Sequence, residues 1–172
     1  MKNLMIYGET HYRTNYLDQI LLNEISSKTP NELKIVILDP SLDSLTEFEG
    51  SPHLLFPICM GGQIHDALNR ICEDIEERKL TGINKPTILV IADRWLPKND
   101  IECPGILESI LVDGKSCGLF VWCSFDNPDT ISEELRAKID SFYAEEDSFD
   151  FDNYIYDKCL EKTNELKEKY GK

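Results

Sequence analysis

The chain lacks several features that would place it in a functional class at once. It contains no run of about 18 apolar residues, so we expect no membrane-spanning helix. Its first residues lack the basic and apolar regions of a secretion signal, and we therefore expect a cytoplasmic protein. None of its six cysteines belongs to a Cys-x-x-Cys pair, which favours buried free thiols over disulfides or a metal site.

Basic residues are scarce compared with acidic ones. The chain has 18 Lys and Arg against 32 Asp and Glu, for a formal net charge of −14. Because the basic residues are also scattered, the surface repels a phosphate backbone, and we expect no nucleic-acid binding. The histidines, His11, His53 and His65, lack the spacing of metal ligands, and no Gly-x-Ser-x-Gly elbow is present. We expect neither a metal site nor a serine hydrolase.

The chain does contain an alternation of apolar runs and amphipathic segments. The apolar, β-branched runs predict strands at 3–7, 33–38, 87–93, 118–124 and 139–143. A period near 3.6 predicts helices at about 15–27, 62–80 and 154–170, another that begins at Pro104, and a short one capped by Thr130 and Glu133. This alternation predicts a single α/β domain over 1–172, with a mainly parallel sheet covered by helices on both faces.

Gly8 follows the first strand and opens a turn into the first helix. A strand, a glycine turn and a helix form the usual cradle for a phosphate, because the N–H groups of the helix N-terminus point at the anion. A working phosphate loop reads Gly-x-x-x-x-Gly-Lys-Ser/Thr. Counted from Gly8, Arg13 stands at the second glycine, Thr14 at the lysine and Asn15 at the magnesium-binding hydroxyl. The frame of the loop is present, but the residues that hold a nucleotide are not.

Three further motifs stand at spacings typical of one family. They are Asp39-Pro40 followed by Phe48-Glu-Gly-Ser-Pro-His-Leu-Leu55, the run Leu89-Val-Ile-Ala-Asp93, and Gly114-Lys-Ser-Cys-Gly118 before a strand that ends at Ser124. Together they resemble the motor domain of FtsK/SpoIIIE-type DNA translocases, a RecA-like branch of the P-loop ATPases. The resemblance covers most of the chain. It implies a RecA-like P-loop fold in which strand 118–124 lies between the first strand and strand 87–92.

The chain departs from the family at the positions that carry the chemistry. Thr14 replaces the Walker A lysine, Arg94 replaces the Walker B glutamate after Asp93, and Asp126 replaces the sensor glutamine. Losing the lysine costs about 2–5 kcal/mol of binding, and a guanidinium cannot act as a general base because it only donates. We therefore expect no catalytic residue and no cofactor, with ATP and magnesium bound weakly at most. The degenerate nucleotide site would comprise Gly8, Thr10, Arg13, Thr14, Asn15 and Asp93.

Three functional hypotheses follow from the resemblance and its departures. The first is an inactive module, a pseudo-ATPase, that binds or regulates a protein partner such as an FtsK-like motor or another copy of itself. The second is a divergent ATP-binding subunit of a DNA translocase ring that borrows missing groups from its neighbours. The third is a flavodoxin-like or Rossmann-like domain, against which the matched run Glu49–Leu55 argues.

The acidic, aromatic stretch 142–156 is the predicted contact surface. Aromatic anchors are enriched at interfaces, and flanking acids speed the approach of a basic partner. The alternative is that these aromatic residues pack the last strand and helix onto the sheet. The interaction candidates are Trp95, if it lies exposed after Asp93, and Phe149, Phe151 and Tyr154.

Overall fold

The computed structural model describes residues 1–82, 86–94, 106–145 and 154–171. Its helices and strands are, in order, β1 (Leu4–Gly8), α1 (Thr10–Ser27), β2 (Leu33–Leu38), α2 (Gly62–Thr81), β3 (Thr87–Asp93), α3 (Ile106–Asp113), β4 (Leu119–Phe125), α4 (Glu133–Arg136), β5 (Asp140–Ala144) and α5 (Ile155–Tyr170). Short 3₁₀ turns lie at Thr46–Phe48, Gly114–Cys117 and Pro128–Thr130. All five predicted strands are present.

The five strands form one parallel sheet in the order β2-β3-β4-β1-β5. Strand β4 lies between β1 and β3, which confirms the order that the resemblance implies. Because the strands are parallel, their carboxyl ends meet at one edge of the sheet. Gly8, Asp39, Asp93 and Asp126 end or follow four different strands, so the fold brings them together at this edge.

Both faces of the sheet are buried, as the near-continuous apolar runs predict. Strand β3 alternates between the two sides: Ile88 and Val90 join the cluster that includes α2 and α3, whereas Leu89 and Ile91 join the cluster that includes α1 and α5. The prediction of a parallel sheet with helices on both faces is therefore confirmed.

The segment after β2 turns back and runs along the outer edge of that strand. The Ile35 amide donates to His53 O at 2.8 Å, and the Cys59 amide donates to Ile37 O at 2.9 Å. His53 is buried, and its Nε2 lies 3.0 Å from Lys28 O, so its role here is structural. Glu49 accepts from the Ile58 amide at 3.1 Å. The turn motif thus closes one edge of the sheet.

Two predicted helix starts were wrong. Helix α1 begins at Thr10 rather than near residue 15, because the expected open loop is wound into its first turn. Helix α4 is capped by Ser132, whose Oγ accepts from the Leu135 amide at 3.3 Å, and not by the Thr130 and Glu133 box. Ile131 is buried before the helix, which places Ser132 at its N-terminus.

The structure also places the cysteines and Trp122. Five cysteines are free thiols; Cys72 is only half-buried, the other four are buried as predicted, and Cys103 lies outside the described residues. Trp122 is buried, and its indole N–H donates to Lys2 O at 3.2 Å. Within the described part of the chain, no helix is both long and apolar enough to cross a bilayer.

Candidate functional site

The turn between β1 and α1 is much shorter than a phosphate loop. Gly8 has φ +133°, and a Cβ there would lie 2.5 Å from Ala144 O, so only glycine fits. Glu9 is the single residue between the strand and the helix, and its carbonyl accepts from the Arg13 amide at 3.0 Å. Residues 10–13, which would wrap a phosphate in an open loop, instead form the first turn of α1.

The Arg13 side chain fills the space that this turn encloses. It is fully buried, and its Nη1 donates to Gly8 O at 3.1 Å and to the Asp126 carboxylate. Because Gly8 and Asp126 end or follow neighbouring strands, one guanidinium joins the edge of the sheet to the start of α1. A positive charge is therefore present in the loop. Its Nη1 is engaged by protein acceptors, whereas Nε and Nη2 are buried without a hydrogen-bond partner in the described structure.

The other predicted loop positions differ in their exposure to solvent. Asn15, at the position of the magnesium-binding hydroxyl, is buried, and its Oδ1 accepts from Gln19 Nε2 at 2.6 Å within α1. Thr14 is half-buried and Thr10 is exposed. The fold brings Gly8, Thr10 and Arg13 to the turn, but leaves only Thr10 accessible among these three.

Asp93 lies at the end of β3 and is buried. Its Oδ2 accepts from Ser44 Oγ at 2.6 Å and from Arg94 Nε at 3.2 Å. Burial raises the pKa of Asp93, while the Ser44 and Ser124 hydroxyls and the Arg13 charge lower it. One oxygen of this carboxylate, Oδ2, is thus already engaged by a hydroxyl and a guanidinium, whereas Oδ1 is buried without a hydrogen-bond partner in the described structure.

Asp39 stabilises the turn that brings Ser44 to Asp93. Its carboxylate is buried and accepts from the amides of Ser41 at 3.1 Å, Asp43 at 3.0 Å and Ser44 at 3.0 Å. Ser44 Oγ also lies 3.1 Å from Asp39 Oδ2, between the two carboxylates. Asp43 and Ser44 have no motif or spacing that marks them in the sequence, because their role depends on the contact between the ends of β2 and β3.

Arg94 completes the network from a left-handed backbone conformation. Its φ is +53°, an uncommon value for a residue with a side chain. Its amide donates to Ser124 O at 2.9 Å, and its guanidinium pairs with Asp43 and Asp93. The side chain has no acceptor atom, so it cannot polarise an attacking water.

The carboxylates of Asp39, Asp43 and Asp93 offer atoms within 4.8 Å of one another. That spacing suits a hard cation such as magnesium, which prefers carboxylate oxygens. However, Arg94 already bridges two of the three, and backbone amides occupy the third. An ion would compete with the guanidinium for Asp43 and Asp93, although Asp93 Oδ1 has no hydrogen-bond partner in the described structure.

An open cleft of about 500 Å³ lies over the turn. Glu9 and Asp126 both line it, and their side chains are largely exposed. The carboxylates in this cleft repel an anion, although the Arg13 guanidinium offsets the charge of Asp126. Among the described residues, the cleft is lined by Gly8, Glu9, Thr10, His11, Asp126 and Tyr143.

The predicted contact residues are described only in part. Tyr154 is 70% exposed, immediately before α5. Trp95, Phe149 and Phe151 lie outside the described residues. The interaction surface proposed from the sequence therefore stays a prediction.

Comparisons with known proteins agree with the motifs. No protein-family model matches the chain. A stretch of 108 residues, 60% of this chain and 11% of the relative, is 28% identical to the DNA translocase FtsK of Corynebacterium efficiens. Another of 80 residues, 45% of this chain and 10% of the relative, is 30% identical to the FtsK of Mycobacterium leprae. The chain thus spans about a tenth of these relatives' length.

Solved structures share the fold at low sequence identity. EssC from Geobacillus thermodenitrificans, solved as ATPases 2 and 3, matches with a TM-score of 0.82 and 16% identity over 98% of this chain and 44% of that one. EccC from Thermomonospora curvata, solved as ATPases 2 and 3 with a signal sequence peptide, matches with a TM-score of 0.78 and 10% identity over 96% and 42%. The predicted resemblance and its fold are confirmed.

Proposed function

Because the chain is similar to the FtsK/SpoIIIE-type motor domain in both motifs and fold, we propose that it is a module of this type without ATP turnover. In this proposal it acts as a protein-binding or regulatory domain. The RecA-like sheet and the turn motif provide a stable scaffold, while the nucleotide site has become an internal ionic network.

The position of Arg13 carries the proposal. A nucleotide phosphate could enter the turn only if the guanidinium left Gly8 O and Asp126 and the first turn of α1 unwound. The exposed carboxylates of Glu9 and Asp126 oppose such an anion. Both effects support weak or undetectable binding of ATP.

Arg94 supports the loss of turnover independently of the loop. Even with ATP bound, the residue after Asp93 could not accept a proton from water. Asp93 itself is held by Ser44 and Arg94, which leaves it poorly available to a magnesium ion. Binding and hydrolysis are thus impaired by separate substitutions.

The similar proteins favour another protein or a peptide as the binding partner of this chain. EssC and EccC carry neighbouring ATPase modules in one chain, and EccC was solved with a signal sequence peptide. We infer a partner of one of these kinds for this chain, an ATPase module or a peptide. The net charge of −14 favours a basic contact surface on that partner, and Tyr154 offers an exposed aromatic side chain.

Phosphate release from ATP with magnesium tests the proposal. The wild-type chain should release phosphate no faster than an Asp93→Ala variant, which removes the carboxylate most able to hold magnesium. A working FtsK motor assayed in parallel controls for the reagents. Saturable turnover by the wild-type chain, above the level of the variant, would show that this domain is an enzyme.

A further inference from the structure

A second pair of acidic residues is buried away from the nucleotide site. Asp18 lies on α1 and Glu47 on the 3₁₀ turn Thr46–Phe48, and their side chains are within hydrogen-bonding reach of each other. Helix α5 packs mainly on these same two elements. Cys159 Sγ of α5 lies 3.8 Å from Asp18 O, and Thr163 is buried one turn further along α5.

No cation is recorded against this pair among the described residues. The titratable groups that act on Asp18 and Glu47, besides each other, are Asp93 at the end of β3 and Cys159 on α5, and these are acids. Lys167 of α5 packs over Gly50, beyond the end of the 3₁₀ turn. The pair therefore lies in an apolar and acidic environment.

Two adjacent carboxyl groups in such a place cannot both be ionised without a large cost. Asp18 Oδ1 and Glu47 Oε1 are buried and have no hydrogen-bond partner in the described structure. Burial raises the pKa of Asp18, and the nearby Glu47 raises it further; burial also raises the pKa of Glu47. The packed state thus retains at least one proton on the pair at neutral pH.

We propose that the Asp18–Glu47 pair is a proton-dependent latch for the C-terminal helix. A proton shared by the two carboxyl groups holds α5 against α1 and the 3₁₀ turn. When that proton passes to water, the two like charges repel and α5 separates. Because α5 contributes no strand to the sheet, the five-stranded ladder stays paired when the helix leaves.

Release of α5 would uncover an apolar surface. Ile155, Cys159 and Leu166 are buried by α5 packing, together with Leu17 and Phe48 beneath them. Exposed apolar surface of this kind is typical of protein contact sites. The latch would therefore control the exposure of this apolar surface, and it does not depend on the state of the nucleotide site.

Hydrogen exchange of the full chain between pH 5 and pH 8 tests the latch. Protection factors, corrected for the intrinsic exchange rate, are measured for α5 and for β3 and β4. If each opening releases one proton, protection of α5 falls about tenfold per pH unit. In a Glu47→Gln variant, the protection of α5 should depend less on pH. The amide has the shape of the carboxyl group and can donate a hydrogen bond, but it cannot ionise. Glu165→Gln, an exposed change on α5, should keep the slope of the wild type.

Four outcomes would overturn the latch. The first is pH-independent protection of α5 in the wild type, and the second is an unchanged slope in Glu47→Gln. The third is equal protection of α5 and of β3 and β4 at every pH, which would mean that α5 opens only when the whole fold opens. If circular dichroism shows Glu47→Gln to be unfolded, Asp18→Asn is measured in its place. Unfolding of both variants would also contradict the proposal, since a protonated pair tolerates one neutral amide.

Discussion

Arg13 and Asp126 form an ion pair that joins the first turn of α1 to the residue after β4. The two partners differ in environment: the Arg13 side chain is fully buried, whereas the Asp126 side chain is 74% exposed. The guanidinium therefore serves as a packing element of the turn, and the carboxylate holds it from the solvent side. In the resembled family these two positions belong to the phosphate loop and the sensor glutamine.

Substitutions at the two ends of this pair should have unequal effects on stability. Arg13→Ala should lower the free energy of unfolding by about 2–4 kcal/mol, because it removes buried volume and the hydrogen bond to Gly8 O. Asp126→Ala should lower it by less than Arg13→Ala does, because it removes no buried volume, although it leaves the buried guanidinium with Gly8 O as its remaining acceptor. Urea denaturation of both variants gives these values. Equal losses would mean that the ion pair, and not the packing, determines the role of Arg13.

Ser44 is predicted to stabilise the fold through its hydroxyl. Ser44→Ala should cost about 1–3 kcal/mol of unfolding free energy, because the buried Asp93 carboxylate loses a donor. Ser41→Ala is the matched control, since Ser41 is exposed and contacts Asp39 through its amide, which alanine retains. If both variants have the same denaturation midpoint, the hydrogen bond from Ser44 to Asp93 does not stabilise the fold.

His53 should make the protein less stable in mild acid. Burial lowers the pKa of His53 below its ordinary value of 6.5, although its contact with Lys28 O opposes this. The folded state therefore binds fewer protons than the unfolded state just below pH 6.5. The stability contributed by neutral His53 is complete above pH 6.5 and is lost as pH falls through the lowered folded pKa.

The measurement is the difference in unfolding free energy between the wild type and His53→Gln at pH 7 and at pH 5. The wild type should lose more stability than the variant over this interval, by at most about 1.4 kcal/mol per unit of pKa shift. His11→Gln, a change at an exposed histidine of α1, should follow the wild type. If His53→Gln loses stability in parallel with the wild type, His53 does not carry the effect.

The fold was largely predictable because it depends on local patterns and on motif spacing. The β3 run Thr87–Asp93 is apolar almost throughout, which indicates a strand buried on both faces. The order of β1, β4 and β3 came from the resemblance, and the sheet confirms it. Strand ends were correct to within a residue or two.

The site was predicted less well, for two physical reasons. The loop was placed by counting from Gly8. Because Arg13 replaces the second glycine of the phosphate loop, helix α1 can begin as early as Thr10, and counting positions cannot detect that. The contacts of Ser44 with Asp93 and of Asp43 with Arg94 join residues about 50 positions apart. Such contacts require strand ends to meet, and no spacing in the sequence indicates them.

Restoration of the loop residues should restore nucleotide affinity. The triple variant Arg13→Gly, Thr14→Lys and Asn15→Ser recreates Gly-x-x-x-x-Gly-Lys-Ser from Gly8 onward. Regaining the lysine contact should tighten ATP binding about 30- to 3000-fold. Turnover should stay at background, because Arg94 still follows Asp93. If affinity is unchanged in a folded triple variant, these three positions do not account for a lost site.

Calorimetric titration of the wild-type chain with ATP and magnesium is the most direct test of the central claim, that Arg13 closes the phosphate loop. The account predicts no saturable heat in the low micromolar range, with the triple variant as the positive control for the same preparation. Saturable low-micromolar binding of one ATP by the wild-type chain, lost in Asp93→Ala, would contradict the account.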